Sequence, residues 1–126
     1  MDLAKYRFQE ATEKLESARI LLNENHLKDS LSRSYYAMFS AVRALLALKE
    51  LDSRKHSGII SFFNQHFVKT KIIDPYYGRL LKKAQFSRER SDYGDYIIVT
   101  FEEAKSQLED AENFVAEIKM QYIDAF

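Results

Sequence analysis

Very few residues in this chain oblige a helix to stop. Its 126 residues include three glycines and one proline, and apolar residues recur at intervals of three and four rather than at every second position. This pattern predicts an all-α protein. The length and the 46% hydrophobic content predict a single domain over residues 1–126 that buries its own core.

Five helices follow from the positions of the apolar stripes and the end signals. Pro75 fits the first turn of a helix, where a missing amide proton costs nothing. Thr100 and Glu103 have the spacing of a capping box, and Gly94 permits a turn between these two helices. The predicted helices span about residues 2–24, 28–51, 54–68, 75–90 and 100–122. The second, apolar around more than half its circumference, should be central.

Composition excludes several classes of protein and site. Without cysteines the chain can form neither disulfides nor thiolate zinc sites, which fits a reducing compartment. No run of about 18 apolar residues occurs, and the N-terminus lacks the features of a signal peptide. We therefore expect a cytoplasmic protein that does not enter membranes.

Charge is unevenly distributed although the formal net charge is zero. Residues 54–90 contain nine basic and two acidic side chains, whereas residues 91–126 contain two basic and nine acidic ones. Two neighbouring helices of opposite sign could simply complement each other. The alternative is a basic face that is free to bind nucleic acid or nucleotide phosphates.

One narrow polar stripe runs along the second helix. Arg33, Tyr36 and Arg43 lie on it at helical spacing, and two arginines with a tyrosine between them could hold a phosphate and stack a base. The other interpretation is the solvent edge of a core helix.

The three histidines differ in their surroundings. His56 lies beside two basic residues at the start of the third helix, a place suited to an anion, although a structural role is also possible. His66 should pack among phenylalanines, and His26 should be exposed. No pair of histidines has the spacing of a helical metal site, and no phosphate-binding glycine loop occurs. We therefore expect neither a metal nor a cofactor.

Residues 88–96 (RERSDYGDY) combine two arginines, two aspartates and two tyrosines. Guanidinium groups bind phosphate, and carboxylates and phenols can hold protons. Arg88 and Arg90 are candidate phosphate ligands. Ion pairs with the neighbouring aspartates could leave these arginines unavailable to a ligand, or the same pairs could orient them for one.

Three segments together resemble the HEPN domain family of prokaryotes, in particular its small branch often encoded beside minimal nucleotidyltransferases. They are residues 32–39 (SRSYYAMF), 55–58 (KHSG) and 88–96. The resemblance implies an antiparallel up-and-down bundle of four to five helices, a homodimer with a basic groove, and a role in toxin–antitoxin or defence systems. It also implies that a motif tyrosine can receive adenylyl groups, for which Tyr93 and Tyr96 are candidates.

The chain departs from the family's ribonuclease motif, in which a histidine follows an arginine after four to six residues. Five positions after Arg88 stands Tyr93, and no histidine occurs after His66. Arg19 and His26 have the formal spacing but lie at the end of the wrong helix. Activation of a ribose hydroxyl needs a base with a pKa near neutral. The reference pKa of an aspartate such as Asp92 is well below neutral, and that of a tyrosine such as Tyr93 is well above it.

Three functions remain open. The first is a protein that binds a nucleotide or RNA through Arg33, Tyr36, Arg43, His56 and Arg90 and partners a minimal nucleotidyltransferase. The second is a metal-independent endoribonuclease toxin that uses Arg88 with Asp92 or Tyr93. The third is a docking subunit without any ligand.

Overall fold

The structure, a computed structural model, describes residues 2–124. These residues form an all-α antiparallel bundle of five helices, as predicted, and no strand occurs among them. The helices are α1 (Asp2–Asn23), α2 (Leu27–Leu48), α3 (His56–Phe63), α4 (Pro75–Tyr93) and α5 (Phe101–Asp124). A π-helical turn (Asn64–Val68) continues α3.

Helix α2 is the central helix, as its apolar circumference predicted. It packs against α1, α3, α4 and α5, and its aromatic and aliphatic side chains join a core that includes Phe63 and Phe114. Both phenylalanines are fully buried, and burial of one such side chain contributes about 1.5–3 kcal/mol. The site residues on α2 are therefore attached to the best-packed element of the molecule.

The connection after α2 is longer than the sequence predicted. Helix α2 ends at Leu48 rather than near residue 51, and Glu50 adopts a φ of 56°. A left-handed residue cannot continue a right-handed helix. The chain then passes through Asp52 before α3 begins at His56.

Helix α4 begins at Pro75 as predicted, with the Asp74 side chain accepting a hydrogen bond of 2.9 Å from the Tyr76 amide. It continues to Tyr93, about one turn beyond the predicted end. Gly94 follows with a φ of −85°, and the residue with positive φ is Tyr96, at 58°. A Cβ on Gly94 would meet the Ile97 side chain and lie 2.7 Å from the Arg90 carbonyl oxygen. Glycine is thus required there for space.

One of the two hydrogen bonds of the predicted capping box forms at the start of α5. The Thr100 hydroxyl accepts a hydrogen bond of 3.1 Å from the Glu103 amide. The Glu103 carboxylate instead accepts a hydrogen bond of 2.7 Å from Arg90 on α4. The capping glutamate has become half of an interhelical ion pair.

Helices α4 and α5 neutralise each other in part. Besides Arg90–Glu103, Lys83 on α4 lies 3.7 Å from Asp110 on α5. The acidic last helix therefore covers some of the basic segment. Arg88 pairs with Asp92 of its own helix, whereas Arg54, Lys55 and Arg79 form no ion pair among the described residues.

Within residues 2–124, no helix is both long enough and apolar enough to cross a membrane.

Candidate functional site

The guanidinium of Arg88 packs against two tyrosine rings. Its guanidinium carbon is 5.3 Å from the ring centroids of both Tyr35 and Tyr36, which are adjacent on α2. The Arg88 side chain is only 12% exposed, and Tyr35 is fully buried. Cation–π attraction of this kind contributes about 0.5–2 kcal/mol. The packing of α4 on α2 therefore holds a guanidinium in a fixed position.

Asp92 fixes the same guanidinium from one turn further along α4. Its carboxylate accepts a hydrogen bond of 3.1 Å from Arg88 Nη1. The buried Nε of Arg88 has no hydrogen-bond partner among the described residues. Pairing thus orients the arginine without using all of its donors.

His56 reaches the same aromatic cluster from α3. Its ring centroid is 4.3 Å from that of Phe39 and 6.0 Å from that of Tyr36. Burial lowers the pKa of His56 below its usual 6.5, and the positive charges of Arg88 and Arg43 lower it further. At neutral pH the imidazole is therefore predominantly neutral and able to accept a proton.

A cleft of about 590 Å³ opens beside His56. Arg43 lines it from α2, and Arg54 and Lys55 from the connection before α3. Asp52 in this cleft lies 3.3 Å from Arg7 and 3.6 Å from Arg43. The pKa of Asp52 is lowered, foremost by the hydrogen bond from the Ser53 amide and then by these arginines. The carboxylate offsets part of the positive charge, but the lining remains basic.

Arg33 lies in a different cleft from Arg43. This second cleft, of about 620 Å³, is lined by Lys14, Leu21, Asp29, Ser32, Arg33 and Tyr36. The polar stripe of α2 is therefore divided: Tyr36 lines the second cleft and also contacts His56 and Arg88. Between them Ser40 is buried and accepts a hydrogen bond of 2.7 Å from Lys14 Nζ.

The remaining candidates do not pack on this cluster, although Tyr93 lies within electrostatic reach of Arg88. Arg90 is paired with Glu103 of α5. Tyr93 is 78% exposed and Tyr96 fully exposed, so neither ring is packed on the Arg88 guanidinium in the way that Tyr35 and Tyr36 are. Arg19 is paired with Glu112 at 2.8 Å, consistent with the prediction that its spacing from His26 is a coincidence.

Sequence reasoning missed three contributors to the site. Tyr35 and Phe39 belong to the apolar circumference of the second helix and were not singled out, although Phe39 lies one turn after Tyr36, the spacing at which helical side chains meet. Asp52 had no local signal, because its partners Arg7 and Arg43 lie on other elements. Among the described residues no group of histidines and carboxylates is arranged to hold a metal ion.

Comparisons with known proteins agree on one family. A family model described as the HEPN domain matches residues 4–121. A Methanocaldococcus jannaschii protein named "Putative toxin" is 39% identical over 109 residues, covering 86% of this chain and 81% of the relative. A UPF0332 protein of Thermotoga maritima is 34% identical and covers 93% of this chain, with 89% of its own length matched.

A solved structure shares the fold. The crystal structure of an archaeal HEPN homologue superposes with a TM-score of 0.71, covering 96% of this chain and 98% of the other. At 21% identity this likeness concerns the arrangement of the helices.

Proposed function

This chain belongs to the HEPN domain family, and on that premise we propose that it is a toxin-like protein that binds RNA or nucleotide phosphates. The binding site, called the Arg88 site below, consists of Tyr36, Phe39, Arg43, His56 and Arg88. The toxin-named relatives support the first part of this proposal, and the geometry supports the second.

One observation carries the proposal: Arg88 and His56 approach the Tyr36 ring from different helices. A guanidinium offers paired donors to phosphate oxygens, and a half-buried aromatic ring offers a face or edge to a base. The adjoining cleft adds Arg43, Arg54 and Lys55. A phosphodiester bound there would lie beside a cation and a neutral imidazole.

A salt titration of RNA binding tests this function. Fluorescence anisotropy with a labelled single-stranded RNA should show affinity that falls steeply as salt rises, because phosphate binding releases counterions. The double variant Arg43→Gln, Arg88→Gln should lose most of the affinity. Arg79→Gln is the matched control, since Arg79 is an exposed arginine on the same helix. Absence of RNA and nucleotide binding at low salt would refute the proposal.

The proximity of His56 and Arg88 also favours a second function, a metal-independent endoribonuclease. His56 would take the proton of a ribose 2′-hydroxyl as its oxygen attacks phosphorus, and Arg88 would stabilise the charge of the phosphorane. The bond to the 5′-oxygen then breaks, and that oxygen takes a proton from the imidazolium. The products are a 2′,3′-cyclic phosphate and a 5′-hydroxyl. His56 would thus do the work that the sequence assigned to Asp92 or Tyr93.

Cleavage in the presence of a chelator tests the ribonuclease function. Purified protein should generate cyclic-phosphate ends from RNA, and His56→Gln should abolish them while weakening RNA binding far less than the double variant Arg43→Gln, Arg88→Gln does. Asp92→Asn and Tyr93→Phe separate the alternatives, because neither removes the imidazole. A His56→Gln protein that cuts as fast as wild type would exclude His56 as the base.

A homodimer and a nucleotidyltransferase partner complete the proposal. The exposed apolar side chains of Phe86, Tyr93 and Ile98 support a further protein contact at the end of α4, and we propose that a second copy provides it. Analytical ultracentrifugation should then show a dimer, which Phe86→Glu should dissociate. A monomer at micromolar concentration would contradict this.

Tyr93 and Tyr96 remain the proposed acceptors of adenylyl groups. Their exposure leaves each phenol oxygen accessible to attack the α-phosphorus of ATP in the partner's active site, with pyrophosphate leaving. Co-expression with a minimal nucleotidyltransferase should add adenylyl mass to the wild-type chain, and Tyr93→Phe with Tyr96→Phe should prevent it. Modification that persists in this double variant would exclude both tyrosines.

A further inference from the structure

The second cleft, between α1 and α2, is separate from the cleft beside His56 but shares Tyr36 with the Arg88 site. Its volume of about 620 Å³ is similar to that of the first cleft. Two cations line it, Lys14 from α1 and Arg33 from α2. Any ligand that extends past Tyr36 along this side of α2 enters a second basic cleft.

Lys14 is held in place by a neutral partner. Its ammonium group donates a hydrogen bond of 2.7 Å to the hydroxyl of Ser40, which is buried. A hydroxyl fixes the position of the ammonium without cancelling its charge. The conformational cost of ordering a long lysine side chain is therefore already met before a ligand arrives.

Arg33 keeps its charge as well. It is exposed and forms no ion pair among residues 2–124. Asp29 lies one turn earlier in the same cleft but is in ion-pair contact with neither cation. The lining carries two positive charges and one negative charge, so it favours an anion.

The spacing of the arginines indicates the size of the ligand. Arg33 and Arg43 are ten residues apart on α2, which corresponds to about 15 Å along a helix. At the spacing of about 3.4 Å per nucleotide in one strand of a DNA duplex, this distance spans about four nucleotides, and fewer in a more extended single strand. A mononucleotide is too short to occupy both clefts with its single phosphate.

We propose that the cleft of Lys14 and Arg33 is a second phosphate subsite, and that the ligand is single-stranded RNA of several nucleotides crossing Tyr36. This inference rests on the proposed function and narrows its ligand. A single strand is favoured because its bases are free to stack on an aromatic ring, whereas the bases of a duplex are stacked on one another.

The length dependence of binding tests the subsite. The probes are adenosine monophosphate and a single-stranded octanucleotide, measured against wild type and the double variant Lys14→Gln, Arg33→Gln. Lys5→Gln with Lys28→Gln is the matched control, because both lysines are exposed on the same two helices. The subsite variant should bind the octanucleotide about tenfold more weakly and the mononucleotide unchanged. Its log–log salt slope should decrease by about 1.4, for two lost phosphate contacts.

The outcomes separate this inference from the proposed function. If the subsite variant binds the octanucleotide as wild type does, the second subsite is wrong while binding at the Arg88 site stands. If wild type binds neither probe, both fail. Equal losses for both probes would also exclude a separate subsite. Should the double variant melt early, Arg33→Gln alone keeps the test valid, because this exposed side chain forms no hydrogen bond or ion pair with the described residues.

Discussion

The guanidinium of Arg88 on α4 lies 5.3 Å from the ring centroid of Tyr36 on α2. Tyr35 offers a second ring at the same distance, and Asp92 adds an ion pair at 3.1 Å. An arginine with three such contacts is ordered before any ligand binds. A preorganised cation loses less conformational entropy on binding than a free surface arginine does.

Arg88→Lys should therefore weaken RNA binding nearly as much as Arg88→Gln does. Lysine keeps the charge but loses the planar fork that stacks on two rings and presents paired donors. We expect a loss of at least about tenfold, corresponding to about 1.4 kcal/mol, measured by anisotropy at fixed salt. Lys82→Gln on the exposed side of α4 serves as control. A lysine variant with wild-type affinity would mean that charge alone matters at this position.

Acid should destabilise the protein through His56. Because the folded pKa of His56 lies below 6.5, the unfolded chain binds this proton more tightly than the folded chain does. The contribution of His56 to stability is therefore fully present above pH 6.5 and is lost as pH falls through the folded pKa. The melting temperature should drop less between pH 7 and pH 5 in His56→Gln than in wild type.

His66→Gln is the control for this pH series. His66 packs against Phe62 at a centroid distance of 6.0 Å and does not line the cleft beside His56. A change in pH dependence that is specific to His56→Gln assigns the acid sensitivity to the histidine beside the first cleft. If His56→Gln also follows the wild-type curve, the folded-state shift of His56 contributes nothing measurable to acid stability.

Two glycines on α4 and at its end should respond oppositely to alanine. In Gly94→Ala the new Cβ meets the Ile97 side chain and the Arg90 carbonyl, and relieving such overlap costs about 1–3 kcal/mol. In Gly78→Ala the Cβ makes ordinary contact with Val68 at 3.4 Å, and alanine is favoured within a helix by about 0.5–1 kcal/mol. Urea unfolding of both variants measures the difference. Equal stabilities would contradict the close approach at Gly94.

The hydroxyl of Thr100 should raise the free energy of unfolding by about 1 kcal/mol. Thr100→Ala removes the acceptor for the Glu103 amide, and loss of such a cap costs about 0.5–2 kcal/mol. Thr100→Ser keeps an acceptor and should remain close to wild type in thermal unfolding. If alanine and serine were equivalent, the amide would be satisfied by water at no cost.

Local signals in the sequence predicted most of the fold. Pro75 and Thr100 marked helix starts correctly because each acts on amides within its own first turn. Gly94 follows α4 as predicted, but the end of that helix was predicted about one turn too early, and the need for a glycine depends on the approach of the Ile97 side chain. That contact has no signature in residue spacing. The end of α2 was misplaced because Glu50 gives no local sign of its positive φ.

The candidate site was predictable residue by residue but not as an arrangement. Arg88 and His56 were both singled out, yet they belong to different helices, and only the packing of α3 and α4 on α2 brings both to Tyr36. The arginine motif lacks a histidine along the chain, and the imidazole that contacts Tyr36 belongs to another helix. Arg33 and Arg43 shared a stripe in sequence, whereas Lys14 and Ser40 divide it in space.

The two helices that supply His56 and Arg88 differ in local stability. His56 is the first residue of a helix of eight residues that follows an irregular connection, whereas Arg88 lies within a helix of nineteen. Short helices and their first turns open at lower free energy than long packed ones. Fraying of one turn would move the imidazole away from Tyr36 while Arg88 stays packed on α2. The site could thus lose and regain one of its two groups without global unfolding, at a rate that hydrogen exchange at residues 56–59 would report.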